Sequence, residues 1–237
     1  GVGAYPWLVG GAEARDAAVT EGMAQLVSPP ISARAFADWV ATECWHPARE
    51  VATIDLLLSD RDGPDYLDPG GIRHAVERAD KAAVKAAVRR WKDSGGPNDL
   101  LLFFFCGHGV AAGFDVALLA SDYGSDNEQP FDGAFSLDGL VENMRGARTE
   151  RQVFFVDACR VASAGLLRSQ HVYRADPLIG TPIPMNQAVR QAVYFSTLRG
   201  QPAFGRLGQV SLFTAALLRS LRGAAASDNE GEWAIET

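Results

Sequence analysis

The sequence predicts an α/β domain with a mostly parallel, six-stranded sheet flanked by helices on both faces. Three observations carry this. The runs 100–105 and 153–156 are apolar without polar alternation, as in strands buried on both faces. Strand-like and helix-like stretches alternate along the chain, the pattern of a parallel sheet covered by crossover helices. At 237 residues, 47% hydrophobic and 22% charged, the chain can bury a large core, and a single domain over residues 1–237 is expected.

The elements follow in order. Gly1 to Ala4 reads as the tail of a first strand already begun, so that strand is expected to be truncated at the N-terminus and the chain to continue beyond residue 237. Ser32 is placed to cap a helix through Glu43, with Phe36, Trp39 and Val40 on one face. Val51 to Leu58 is the second strand. Asp80 caps an Ala-rich helix to about Asp93, with Ala83, Val84, Ala87, Val88 and Trp91 on one side and Gly95-Gly96-Pro97-Asn98 as the stop. The third strand, from Leu100, ends at His108. Val116 to Ala120 is a short extra strand, and Ser136 caps a helix to Arg145. The fourth strand ends at Cys159, Ala192 to Ser196 is the fifth, Ser211 caps a helix to Arg222, and Trp233 to Glu236 begins a sixth.

Charge and composition exclude several classes. A net charge of −7 and a pI near 5.1 oppose a nucleic-acid face, which needs a basic stripe. The local cluster Arg73 to Lys92 reads as a helix surface. No segment reaches the roughly 18 uninterrupted apolar residues of a membrane span, and no secretory leader opens the chain, so no membrane partner is expected. Three cysteines form an odd, sparse set that suits reduced cytosolic thiols, and a cytoplasmic location is expected. A zinc site at Cys106 and His108 lacks a second close pair near His46, His74 or His171, so no metal is expected. Cys106 reads as a small apolar residue ending a buried strand.

Ligands of open α/β sheets sit beyond the carboxyl ends of the strands, which is where His108 and Cys159 fall. A cysteine at a loop mouth near an imidazole can be held as thiolate, and the histidine can protonate a leaving amine and activate water. Gly109 follows the histidine, so its N–H, with that of Cys159, can stabilise an acyl-transfer oxyanion.

Phe105-Cys106-Gly107-His108-Gly109 and Asp157-Ala158-Cys159-Arg160 resemble the histidine and cysteine motifs of the caspase-like clan of cysteine peptidases. Asp157 stands where animal caspases carry Gln, and Val161 where they carry Gly, so the chain is more similar to the metacaspase and prokaryotic branch. Gly3-Ala4-Tyr5-Pro6 with Leu8, Asp16 and Ala17 resembles the first strand and following loop of those proteins, and Tyr194 to Gly200 their fifth strand. The resemblance implies a caspase-like fold and a cysteine endopeptidase acting on protein or peptide through Cys159 and His108. It implies an acidic pocket for a basic residue, with Asp157 as one wall and either Glu13 or Asp16 as the other, where a carboxylate meets a guanidinium in charge-assisted hydrogen bonds. It further implies a regulated effector in bacterial stress or antiviral defence, with an activating protein partner. The long irregular stretch from Arg160 to Met185 matches the clan's substrate-binding and activation loops, with Arg168 and Arg174 as self-cleavage points.

Calcium activates some metacaspases, and Ser121 to Glu128 is acidic. That stretch lacks the ordered ligand ladder of a calcium loop, so it reads as solvated and no cofactor is expected. A catalytically idle scaffold of the same fold, and a thiol amidase or transpeptidase on a small substrate, are the competing functions.

Overall fold

The computed structural model describes all residues except 17–19, 21, 45–49, 62, 64, 113–114, 161–174, 181–184, 199, 201–207, 225, 230–231 and 236–237. In chain order the elements are α1 (Ser28–Thr42), β1 (Leu57–Leu58), β2 (Asp65–Leu67), β3 (Arg73–Ala75), β4 (Glu77–Arg78), α2 (Lys81–Ser94), β5 (Leu100–Gly107), β6 (Gly109–Ala112), β7 (Asp115–Leu119) and β8 (Ala134–Ser136). They continue with α3 (Leu137–Asn143), β9 (Arg151–Ala158), β10 (Arg190–Phe195), α4 (Leu212–Arg219), β11 (Ala226–Asn229) and β12 (Glu232–Ile235).

The centre is a parallel sheet in the order β10, β9, β5. β5 and β9 pair from Leu100 opposite Arg151 to Gly107 opposite Ala158, and β10 pairs with β9 from Arg190 opposite Arg151 to Phe195 opposite Val156. Gly1 to Ala4 extends the sheet beyond β5: the Val2 N–H donates to the Cys106 carbonyl at 2.9 Å, and the Gly3 N–H donates to Ser59 at 2.8 Å. The spatial order is therefore 57–59, 1–4, β5, β9, β10.

The apolar strands alternate their side chains between two cores. Leu101, Phe103 and Phe105 of β5 join Phe154, Val156 and Ala158 of β9 against Val88, Trp91, Leu140 and Met144 from the α2 and α3 side. Leu102, Phe104, Val153 and Phe155 face the other way, onto Phe36 and Trp39 of α1 and Phe213, Leu217 and Leu218 of α4. Phe36 stacks on Phe104 at 4.6 Å, and Trp91 meets Phe154 edge-on at 6.0 Å. Phe154 is fully buried, so its replacement by Ala costs about 3–5 kcal/mol. Helices on both faces of a parallel sheet are the predicted α/β architecture. No helix among the described residues is long and apolar enough to cross a membrane.

Three of the four expected caps hold. The Ala83 N–H donates to the Asp80 carboxylate at 2.9 Å, the Gly139 N–H to the Ser136 hydroxyl at 2.9 Å and the Thr214 N–H to the Ser211 hydroxyl at 3.0 Å. Ser32 does not cap. The helix starts at Ser28, because Pro29 and Pro30 fix φ and lack the N–H groups that a first turn leaves unpaired. Ser32, now inside α1 and fully buried, accepts the Ser211 N–H at 3.0 Å.

Two strand boundaries also differ from expectation. Of Val51 to Leu58, only Leu57 and Leu58 pair, with Glu77 and Arg78. Residues 51–56 form no ladder and border a cavity of about 390 Å³ that β5, α1 and α2 also line. The segment expected as a sixth strand at Trp233 to Glu236 pairs antiparallel with β11 in a hairpin, where the nearest available edge is its own neighbour in sequence. After β5, a small antiparallel sheet of β6, β7 and β8 contains the predicted strand at Val116 to Ala120.

Candidate active site

The register of β5 and β9 decides where the chemistry sits. Gly107 lies opposite Ala158, so His108 and Cys159 are the next residues out on adjacent parallel strands, at the same carboxyl end of the sheet. The two motifs touch through Gly109. A Cβ at that position would lie 2.7 Å from the Cys159 carbonyl oxygen and 2.9 Å from the Ala158 Cβ, so only glycine fits. In the β6–β7 ladder the Leu119 N–H donates to the His108 carbonyl at 3.0 Å. The neighbouring pair, Gly109 opposite Leu118, is then the non-hydrogen-bonded type, and the Gly109 N–H points away from β7.

His108 is held at three points. Its N–H donates to the Tyr5 hydroxyl at 2.9 Å, its carbonyl accepts from Leu119, and its ring Nε2 lies 2.7 Å from the Ala24 carbonyl. A carbonyl can only accept, so Nε2 carries the proton and Nδ1 is left as the basic nitrogen. Loss of water around the ring lowers the imidazole pKa below its ordinary 6.5, against a smaller raising effect of the Ala24 hydrogen bond. The histidine is therefore a neutral base at pH 7.

Burial separates the thiols. Cys44, Cys106 and Cys159 form no disulfide among the described residues. Cys106 is only 3% exposed, and burial, followed by the Asp157 charge, raises its pKa well above the ordinary thiol value. Burial also raises Cys44. Cys159, partly exposed and one residue past β9, is placed at the sheet's carboxyl end beside the His108 motif. Next to it, the Arg160 guanidinium lies 4.0 Å over the Phe195 ring, a cation–π contact that ties the strand end to β10.

Asp157 is 4% exposed and points to the α1 and α4 face, as alternation from Phe155 requires. Its Oδ2 accepts from the Ser211 hydroxyl, from the Thr214 hydroxyl at 3.0 Å and from the Cys106 thiol at 3.4 Å. All three donors fall on one oxygen, and Oδ1 takes no hydrogen bond from the described residues. Sequence reasoning found Asp157 but missed these partners, which lie 51 to 57 positions away. It also missed Ala24, since a carbonyl oxygen leaves no mark on a side-chain pattern.

The remaining expected residues are more scattered. Glu13 and Asp16 are exposed on the turn after the first strand, where the Glu13 N–H donates to Pro6 at 2.9 Å. Arg168 and Arg174 lie outside the described residues. In the acidic stretch, Asp122 accepts the Lys81 N–H at the start of α2 at 3.0 Å and Asp126 the Glu128 N–H at 2.7 Å, so both are engaged by backbone. Burial raises the Asp122 pKa.

Residues 70–232 match the model of the caspase domain. This chain belongs to the caspase-domain family. Among its relatives, it is 27% identical over 205 residues to an uncharacterized protein of Sinorhizobium fredii, a match covering 80% of this caspase-domain chain and 58% of that protein. It is 28% identical over 179 residues to a probable protease of a Desulfuromonadales bacterium, covering 71% of this chain and 20% of that one. The caspase-domain chain thus spans little more than half of the first relative and a fifth of the second.

Proposed function

We propose that this caspase-domain protein is a cysteine endopeptidase that cleaves after Arg or Lys with Cys159 as nucleophile and His108 as base. The observation that carries the reading is the shared strand end: Cys159 and His108 follow directly on the Ala158 and Gly107 pair, with Gly109 packed on the Cys159 carbonyl. Nδ1 of His108 takes the thiol proton as Sγ attacks the scissile carbonyl carbon. The oxyanion accepts from the Gly109 and Cys159 N–H groups. His108 returns the proton to the departing amine as the C–N bond breaks, leaving a thioester. Water then adds to the thioester and gives its proton to Nδ1. Collapse expels Sγ, which takes the proton back from Nδ1 to regenerate the thiol, and the carboxylic acid product loses its own proton to solvent.

Asp157 is the specificity residue in this reading, with Asp16 or Glu13 as the second acid. Its internal donors occupy Oδ2, which leaves Oδ1 for a substrate cation. A cytoplasmic setting agrees with a sparse, odd set of three cysteines outside any disulfide. A role as a regulated effector in bacterial stress or defence, switched by a protein partner, rests on the resemblance of the motifs. A panel of fluorogenic peptides with Arg, Lys, Leu or Asp before the scissile bond tests the function. Turnover confined to Arg and Lys is expected, and preferred cleavage after Asp overturns the pocket assignment.

A further inference from the structure

We propose that Tyr5 is a positioning residue for His108, fixing both the main chain that carries the imidazole and, through Gln25, the carbonyl that orients its ring. The inference rests on His108 being the base of the proposed reaction. Tyr5 is fully buried. Its hydroxyl accepts the His108 N–H at 2.9 Å and donates to the Leu119 carbonyl at 3.3 Å. It therefore bridges the chain where it leaves β5 to the β7 strand that pairs with it next. The phenol reaches this spot because residue 107 is glycine: a Cβ there would lie 2.9 Å from the Tyr5 oxygen. The Tyr5 ring lies 5.0 Å from the imidazole, tilted by 51°.

The second half of the device runs through Gln25. Its amide accepts the Tyr5 N–H at 2.7 Å and donates to the Tyr5 carbonyl at 2.7 Å, with further bonds to the Leu8 and Val9 carbonyls at 3.4 and 3.2 Å. The adjacent residue is Ala24, whose carbonyl receives Nε2. The Val9 N–H donates to Met23 at 3.0 Å, which closes the segment onto the same turn. One tyrosine and one glutamine thus set the height and the tilt of the ring. Burial pushes the Tyr5 hydroxyl pKa well above its usual value, so it stays a protonated, fixed link at any working pH.

Tyr5→Phe keeps the ring packing and deletes the hydroxyl, leaving the His108 N–H and the Leu119 carbonyl without it. In the full chain, the His108 titration read by NMR is expected to move up toward 6.5, as a looser ring regains water. The value of kcat/KM on an Arg peptide is expected to fall about tenfold, mostly in kcat, because a misplaced base lowers the rate more than substrate binding. Melting temperature is followed in parallel, since a purely structural role would lower it without moving the titration. An unmoved titration or an unmoved kcat/KM in folded Tyr5→Phe overturns the proposal. Should that variant not fold, Gln25→Ala carries the same expectations and the same refutation. Absence of peptide hydrolysis by the wild type would sink the proposed function instead, and the NMR titration, which needs no turnover, would then decide the positioning role alone.

Discussion

Gly109→Ala is the sharpest probe of the contact between the two motifs. The added methyl would sit 2.7 Å from the Cys159 carbonyl oxygen and 2.9 Å from the Ala158 Cβ. Both fall about 0.5 Å or more inside ordinary contact, and the first of them is backbone with no rotamer to yield. Either β6 or the Cys159 main chain must shift by a comparable distance. Overpacking of this kind costs about 1–3 kcal/mol of stability, and a displacement approaching 1 Å at the nucleophile costs roughly 100-fold in rate. The assay is kcat/KM on an Arg peptide beside a thermal melt, with iodoacetamide alkylation to confirm that Cys159 remains reachable. The expected result is a folded, alkylatable protein about 100-fold slower. A folded Gly109→Ala enzyme with wild-type kcat/KM would refute the placement of Gly109 against the nucleophile.

Three further outcomes are expected. Cys159→Ala or His108→Ala should abolish hydrolysis with the melt retained, and iodoacetamide should silence the wild type while alkylating buried Cys106 far more slowly; turnover by purified Cys159→Ala would end the assignment. Asp157→Ala should raise the barrier for an Arg peptide by about 2–4 kcal/mol and that for a Leu peptide much less, a double difference that cancels the cost of stranding the Ser211 and Thr214 hydroxyls; equal losses would make Asp157 a brace for α4 only. Because burial lowers the His108 pKa in the fold, the unfolded chain takes up a proton first as pH falls, so this contribution to stability is complete above 6.5 and is lost on acidification below it. His108→Gln should therefore show a shallower fall in melting temperature between pH 7 and 5, and parallel curves would count against a partly desolvated, neutral ring.

The fold was legible wherever a local rule suffices. Apolar runs without alternation located β5 and β9, and hydroxyl or carboxylate caps located the starts of α2, α3 and α4. Ser32 misled because a capping residue and a buried core hydroxyl look alike until the donor, Ser211 at a distance of 179 positions, is seen. Residues 51–56 have the composition of a strand, but pairing depends on a neighbour's edge, which no window of sequence contains. At the site, His108, Gly109, Cys159 and Asp157 were readable from two short motifs. Their partners were not: the Ala24 carbonyl is main chain, and the hydroxyls on Asp157 belong to a helix 54 to 57 residues further on. Tyr5 stood within a recognised motif, yet nothing local linked its phenol to a histidine 103 positions away.

The pairing of β10 with β9 bears on what a cut in the chain would do. Six consecutive residues of β10 are laddered to β9, Phe155 stacks on Tyr194 at 5.4 Å, and α4 packs into the same core while its Ser211 and Thr214 grip Asp157. Scission at Arg168 or Arg174 would separate the peptide into a piece bearing both reactive side chains and a piece bearing β10 and α4, joined by no covalent bond. Backbone ladder, apolar core and carboxylate would still bind the two halves to each other. A nicked molecule is therefore expected to persist as a tight two-fragment complex, to divide only under denaturant, and to keep Asp157 held by Ser211 and Thr214 of the second fragment.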